Sequence, residues 1–199
     1  MKKFIAILIT AVLVCFAGCT GGNTDKNPQD EGNSIVSSGK IEGIDFGLGA
    51  DVATVKEHYS ALAEDYSHNH TDSDGHNHGE DENFAYYELI QQDDYSIIDI
   101  ADARFYYLHD KQDEGIAAVA TDSAAFGFTP GVTSKYEVED AFEEKGDTVN
   151  AGEEELKFLA VRQDSVIILR YEFENYQLDF YFYDNLLITT VLLDTELWK

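Results

Sequence analysis

Two neighbouring runs near the C-terminus alternate with period two, and that alternation commits the chain to a sheet with at least one buried face. In 176–183, Tyr176, Leu178, Phe180 and Phe182 share one side, while Gln177, Asp179, Tyr181 and Tyr183 share the other. In 165–174, Ile167, Leu169, Tyr171 and Phe173 oppose Val166, Ile168, Arg170 and Glu172. One side suits a core under a helix. The other is mixed, aromatic and charged, the pattern of an antiparallel sheet with helices on one side.

The pattern reads as duplicated. Ile44-Asp45-Phe46-Gly47-Leu48-Gly49 leads into a helical stretch at 51–64, where Val52, Val55, Tyr59 and Leu62 recur at helical spacing. Phe126-Gly127-Phe128-Thr129-Pro130-Gly131 leads into a second stretch at 133–144, with Tyr136, Val138, Ala141 and Phe142. Asp51 can cap the first helix, and Thr133 or Ser134 the second. Strand-like runs follow each helix, at 84–91, 95–101, 103–109 and 115–121, then at 155–161, 165–174, 176–183 and 186–194. The offset between copies shrinks between helix and first strand, so one insertion in the first copy explains the mismatch. The expected fold class is therefore α+β: two tandem repeats, 41–122 and 123–199, each a helical segment followed by about four antiparallel strands, with the helices packed on one sheet face.

The N-terminus reads as an address. Lys2 and Lys3 precede an apolar run ending at Ala17, which is too short to span a bilayer comfortably. Phe16-Ala17-Gly18-Cys19 resembles the lipobox of bacterial lipoproteins, with Phe16 where Leu is usual. That resemblance implies a signal peptide at 1–18, cleavage before Cys19, and a lipid on its sulfur. Cys15 leaves with the signal, so the mature chain has no free thiol and no disulfide. Acylation by two or more chains, palmitate among them, makes a stable anchor on the extracytoplasmic side of an inner or outer membrane. Residues 19–40, rich in Gly, Asn, Ser and Asp, form a flexible spacer. Acidic residues number 39 against 13 basic ones, a net charge of −26, which opposes binding to nucleic acid or to anionic lipid headgroups.

From 41 to the C-terminus the pattern resembles the β-lactamase-inhibitor-protein-like fold of small outer-membrane-assembly lipoproteins. The matching segments are Ile44 to Gly49 with Val55, and Phe126 to Gly131 with Val138. The inhibitor branch of that family implies a concave sheet face that grips a protein. No residue here matches its inhibitory contacts.

The insertion, 66–83, carries His68-Asn69-His70 and His76-Asn77-His78 among Asp65, Asp72, Asp74, Glu80, Asp81 and Glu82, so it holds four of the six histidines. In an extended chain residues i and i+2 point the same way, so each pair can offer two imidazoles to one ion. Imidazole with carboxylate suits Zn²⁺, and Ni²⁺ or Cu²⁺ as well. The candidate metal ligands are His68, His70, His76, His78, Asp72 and Asp74. The tract resembles the His- and acid-rich loop of zinc-binding lipoproteins from metal-uptake systems. Asp72-Ser73-Asp74-Gly75 opens like a calcium loop, but its glycine falls early for an EF-hand. His58 and His109 can supplement the tract or serve only in packing.

The sequence lacks a Gly-x-Ser-x-Gly elbow, a His-Glu-x-x-His motif and a phosphate-binding glycine loop, so it reads as non-enzymatic. Tyr106, Tyr181 and Tyr183, with Arg170, mark a face for a protein partner if that face is open, or packing beneath a loop if it is not. The expectation is an extracytoplasmic lipoprotein that binds a zinc-like metal through its histidine loop. The alternative is a protein-interaction or inhibitor-like module using the exposed sheet face.

Overall fold

The computed structural model describes residues 39–69, 86–142 and 145–198, with only the backbone of 64–69. The signal segment, Cys19 and most of the spacer lie outside the described residues. Helix α1 (Val52–Asn69) starts where Asp51 Oδ2 accepts the Thr54 amide at 2.8 Å. Helix α2 (Lys135–Ala141) opens on a reciprocal cap, in which the Glu137 amide donates to Ser134 Oγ at 3.3 Å and Glu137 Oε2 accepts the Ser134 amide at 2.7 Å.

The strands are β1 (Tyr87–Gln91), β2 (Tyr95–Ile100), β3 (Arg104–Leu108), β4 (Ala118–Thr121), β5 (Asp147–Asn150), β6 (Ile167–Glu172), β7 (Tyr176–Tyr183) and β8 (Leu186–Asp194). They form one antiparallel sheet in the order β1-β2-β3-β4-β8-β7-β6-β5. This overturns the expected α+β class of two tandem repeats with helices packed on one sheet face. The described residues are mostly a single eight-stranded sheet with few helices. The joint is the β4–β8 ladder, which runs from Ala118↔Leu193 to Thr121↔Thr190. Its hydrogen bonds make the two strand sets continuous, so Val119 and Leu192 share one apolar cluster with Phe105 and Phe180.

That first cluster lies on one side of the sheet. Val52, Val55 and Tyr59 of α1 and Val138 of α2 meet Ile98, Phe105, Leu178, Phe180 and Phe182 there. Tyr59 stacks on Phe105 at 5.6 Å, and Phe142 stacks on Tyr171 at 4.1 Å. Phe180 is enclosed by Phe126, Phe128, Phe142 and Tyr171. Removing each such ring from water contributes about 2–3 kcal/mol. The approach to α1 is fastened to the chain leading into β4, because Gly49 N donates to Ile116 O and Ile116 N to Ala50 O. Gly115 sits at that crossing with φ +90, and a Cβ there would lie 2.7 Å from the backbone of Gly49 and Ala50.

The other side of the sheet is buried too. Ile97, Tyr106, Ala118, Ala120, Ile168, Tyr181, Val191 and Leu193 form a second cluster with Phe158 and Val166. The cover comes from 151–161 and from the C-terminal turn that ends in Trp198. The run expected as a strand at 155–161 is instead helix α3 (Glu153–Leu156) and the chain after it. Leu156 and Phe158 mimic strand alternation, but both pack down onto the sheet. The first strand of this half is the short β5, whose one apolar residue, Val149, gives no alternation to read.

Candidate functional site

On the covered side, Arg104 fixes the cover to the sheet. Its guanidinium donates to Asp122 Oδ2 at 2.7 Å, to Asp122 Oδ1 at 2.9 Å and to the Phe158 carbonyl at 3.1 Å. Thr189 Oγ1 donates to Asp122 Oδ1 at 2.6 Å, so β3 and β8 both hold the carboxylate that follows β4. Tyr106 adds a bond from its hydroxyl to the Lys157 carbonyl at 3.2 Å. Trp198 then packs on Phe158 at 5.1 Å, Tyr95 at 5.8 Å and Tyr106 at 6.0 Å.

The cover does not reach the whole sheet. Between α3, Trp198 and the sheet lies a cleft of roughly 550 Å³, within the size range of small-molecule sites. Its floor is a polar row. Arg170 Nε donates to Asp179 Oδ1 at 3.0 Å and its terminal nitrogen to Asp179 Oδ2 at 2.8 Å, while Gln177 Nε2 donates to Asp179 Oδ2 at 2.9 Å. Asp179 is fully buried, and burial pushes its carboxyl above the usual carboxylate range against the pull of Arg170. The bond to Asp179 in turn holds the Arg170 guanidinium in its charged form. Beside this row stands Tyr181, also fully buried, whose hydroxyl has no hydrogen-bond partner among the described residues. Burial, then the negative charge of Asp179, pushes that phenol upward, so it is neutral and able both to donate and to accept.

The walls are aromatic and acidic. Lys157 Nζ lies 4.7 Å from the Trp198 ring centre and 5.6 Å from that of Tyr95, and donates to Glu154. Two ring faces and a carboxylate therefore already enclose an ammonium. Glu153 and Glu155 stand beside Glu154 in the cleft lining, which also includes Asp94.

The structure separates the four residues read as a partner face. Arg170 and Tyr181 line the cleft floor. Tyr106 and Tyr181 are 0% exposed, so of the two readings of them the packed one holds: the chain covers them with its own 151–161 segment and Trp198. Tyr183 remains 46% exposed at the end of β7. The lining residues from the cover, Glu153–Glu155, Lys157 and Trp198, were missed by sequence reasoning. The available signal was the triple glutamate, which suits the first turn of a helix better than a strand.

Of the candidate metal ligands, His68 falls in the last turn of α1, so its backbone is helical rather than extended. His70, Asp72, Asp74, His76 and His78 lie outside the described residues. Among the described residues, no group of three or more His, Cys, Asp or Glu side chains is placed to hold a metal ion. His109 is engaged at both ring nitrogens. The Asp93 carbonyl can only accept, so Nδ1 carries the proton (3.2 Å) and Nε2 accepts from Ser96 Oγ (2.8 Å). His58 packs edge-on to Phe46 and Tyr59, with Nε2 3.6 Å from Asp45 Oδ2.

Among the described residues, no helix is long and apolar enough to cross a membrane. Comparison with protein-family models, with characterised proteins and with solved structures found no match.

Proposed function

We propose that this chain is a membrane-tethered, extracytoplasmic binding lipoprotein, non-enzymatic, that takes up a divalent transition metal such as zinc through its histidine and aspartate tract. The observation that carries the reading is the concentration of four of the six histidines between 68 and 78, interleaved with Asp72 and Asp74. Its position in the chain supports it. The tract joins the C-terminal end of α1, where the helix dipole is negative, to β1, the edge strand of the sheet. Lipid on Cys19 and the spacer to residue 40 supply the tether.

The test is calorimetric titration of Zn²⁺ into the mature chain and into a variant with His68, His70, His76 and His78 all changed to Ala. The expected outcome is saturable binding that weakens by at least about tenfold in the variant, since each lost imidazole removes a ligand. Equal affinity in both proteins would remove the tract from the account.

A further inference from the structure

The cleft above Arg170 and Asp179 is a second place in the molecule with the character of a binding site, and it owes nothing to the histidine tract. Three independent features point to one ligand chemistry. Its lining carries five carboxylates, from Asp94, Glu153, Glu154, Glu155 and Asp179, against two cations, Lys157 and Arg170. Arg170 is spent on Asp179 and Arg162, from outside the lining, on Glu153, yet carboxylates still outnumber cations by five to three, so the remaining field in the cleft is negative and concentrates cations. Next, the Tyr95 and Trp198 faces are already set around an ammonium, that of Lys157. Last, the Tyr181 hydroxyl is buried at the floor with no partner, a state that costs free energy unless something else completes it.

We infer that this cleft binds a small organic cation bearing primary or secondary ammonium groups, of the polyamine class, whose nitrogen replaces or adjoins the Lys157 ammonium between Tyr95 and Trp198 while a further N–H reaches the Tyr181 oxygen. Lys157 is then a resident occupant. It keeps the aromatic pair in place when the cleft is empty and competes with the ligand when it is not. A flexible lysine stem makes this exchange feasible, because the ammonium can swing to solvent while the stem stays packed. Anionic ligands are disfavoured by the three consecutive glutamates, and purely apolar ones leave the Tyr181 hydroxyl unpaired.

Trp198 is the only tryptophan in the chain, so its emission reports on this cleft alone. Spermidine is titrated into the mature chain at physiological salt, which screens diffuse attraction to an acidic surface. The same titration follows for Lys157→Met, which keeps the stem and removes the competing charge, and for Tyr181→Phe, which removes only the hydroxyl. The expected result is a saturable change in emission, at several-fold lower spermidine in Lys157→Met and several-fold higher in Tyr181→Phe. No saturable change in either the parent or Lys157→Met overturns the inference. A saturable change indifferent to both substitutions also overturns it, because the ligand then sits elsewhere. Circular dichroism of each variant confirms that the sheet is intact, and Tyr181→Phe supplies the second reading if Lys157→Met disturbs the cover. The four-histidine variant should bind spermidine like the parent, so failure of the metal reading leaves this result untouched.

Discussion

Replacing Asp122 by Ala and Arg104 by Met removes the same ion pair from opposite ends, and the two losses differ in size for a reason visible in the structure. The Arg104 side chain is 8% exposed, while that of Asp122 is 41% exposed. Asp122→Ala leaves a guanidinium almost out of water, with the Phe158 carbonyl as its one remaining hydrogen-bond partner among the described residues and with Nε already unpaired. Stranding a buried charge in this way costs about 3–4 kcal/mol. Arg104→Met leaves a carboxylate that water and Thr189 can still reach, and it ends the desolvation of the guanidinium. Its net cost should be about 1–2 kcal/mol. With the charge gone, Asp122→Ala adds little, so the double variant should resemble Arg104→Met to within about 0.5–1 kcal/mol. Urea unfolding followed by Trp198 fluorescence measures all three, and the cover should loosen with them because Arg104 holds Phe158. A finding that Asp122→Ala is no worse than Arg104→Met, or that the two losses add, would refute the argument that exposure sets the asymmetry.

Alkaline stability should be governed by buried phenols. Burial, assisted by Asp45 and Asp102, raises Tyr59 from 10.0 to about 12, and burial with Glu139 does the same for Tyr171. Each favours the protonated fold, so the stabilisation is fully present below pH 10 and is lost as pH rises towards 12. The loss is on the order of 2 kcal/mol per residue, and Tyr59→Phe with Tyr171→Phe should lessen the fall in urea midpoint over that window, the buried Tyr106 and Tyr181 phenols supplying the remainder. A separate test compares two glycines with positive φ. Gly115→Ala places a Cβ against the backbone of Gly49 and Ala50 and should cost at least about 3 kcal/mol, whereas Gly131→Ala meets open space and should cost about 1 kcal/mol, from strain alone. Equal losses in thermal melts would argue against the tight crossing before β4.

Much of the local structure is written in the order of the residues. The caps at Asp51 and Ser134 form as their side chains allow, since each bond spans only three residues. β7 and β8 occupy the runs expected, and Leu178, Phe180 and Phe182 face the first cluster together as their alternation requires. The misreading at 155–161 is instructive. Leu156 and Phe158 are two apart and apolar, which is equally consistent with a strand and with a short segment pressed onto a sheet made elsewhere. Only the preceding Glu153, Glu154 and Glu155 favour the latter.

For the candidate sites the division is similar. The histidine tract is legible because metal-ligand chemistry depends on residue type and close spacing. The cleft is not, because Lys157 and Trp198 reach Tyr95 from distant parts of the chain.

By itself, the sequence determined which residues share a strand face, where α1 and α2 start and where the imidazoles concentrate, because these depend on periods and contacts a few residues long. Tertiary structure alone decided that β4 pairs with β8 to make one sheet. Strand pairing joins backbone groups that every residue carries, so no local pattern names the partner. It also decided that Tyr106 and Tyr181 lie beneath a cover made by the chain itself. That outcome rests on Arg104 and Tyr106 capturing the carbonyls of Phe158 and Lys157, groups more than fifty positions away along the chain.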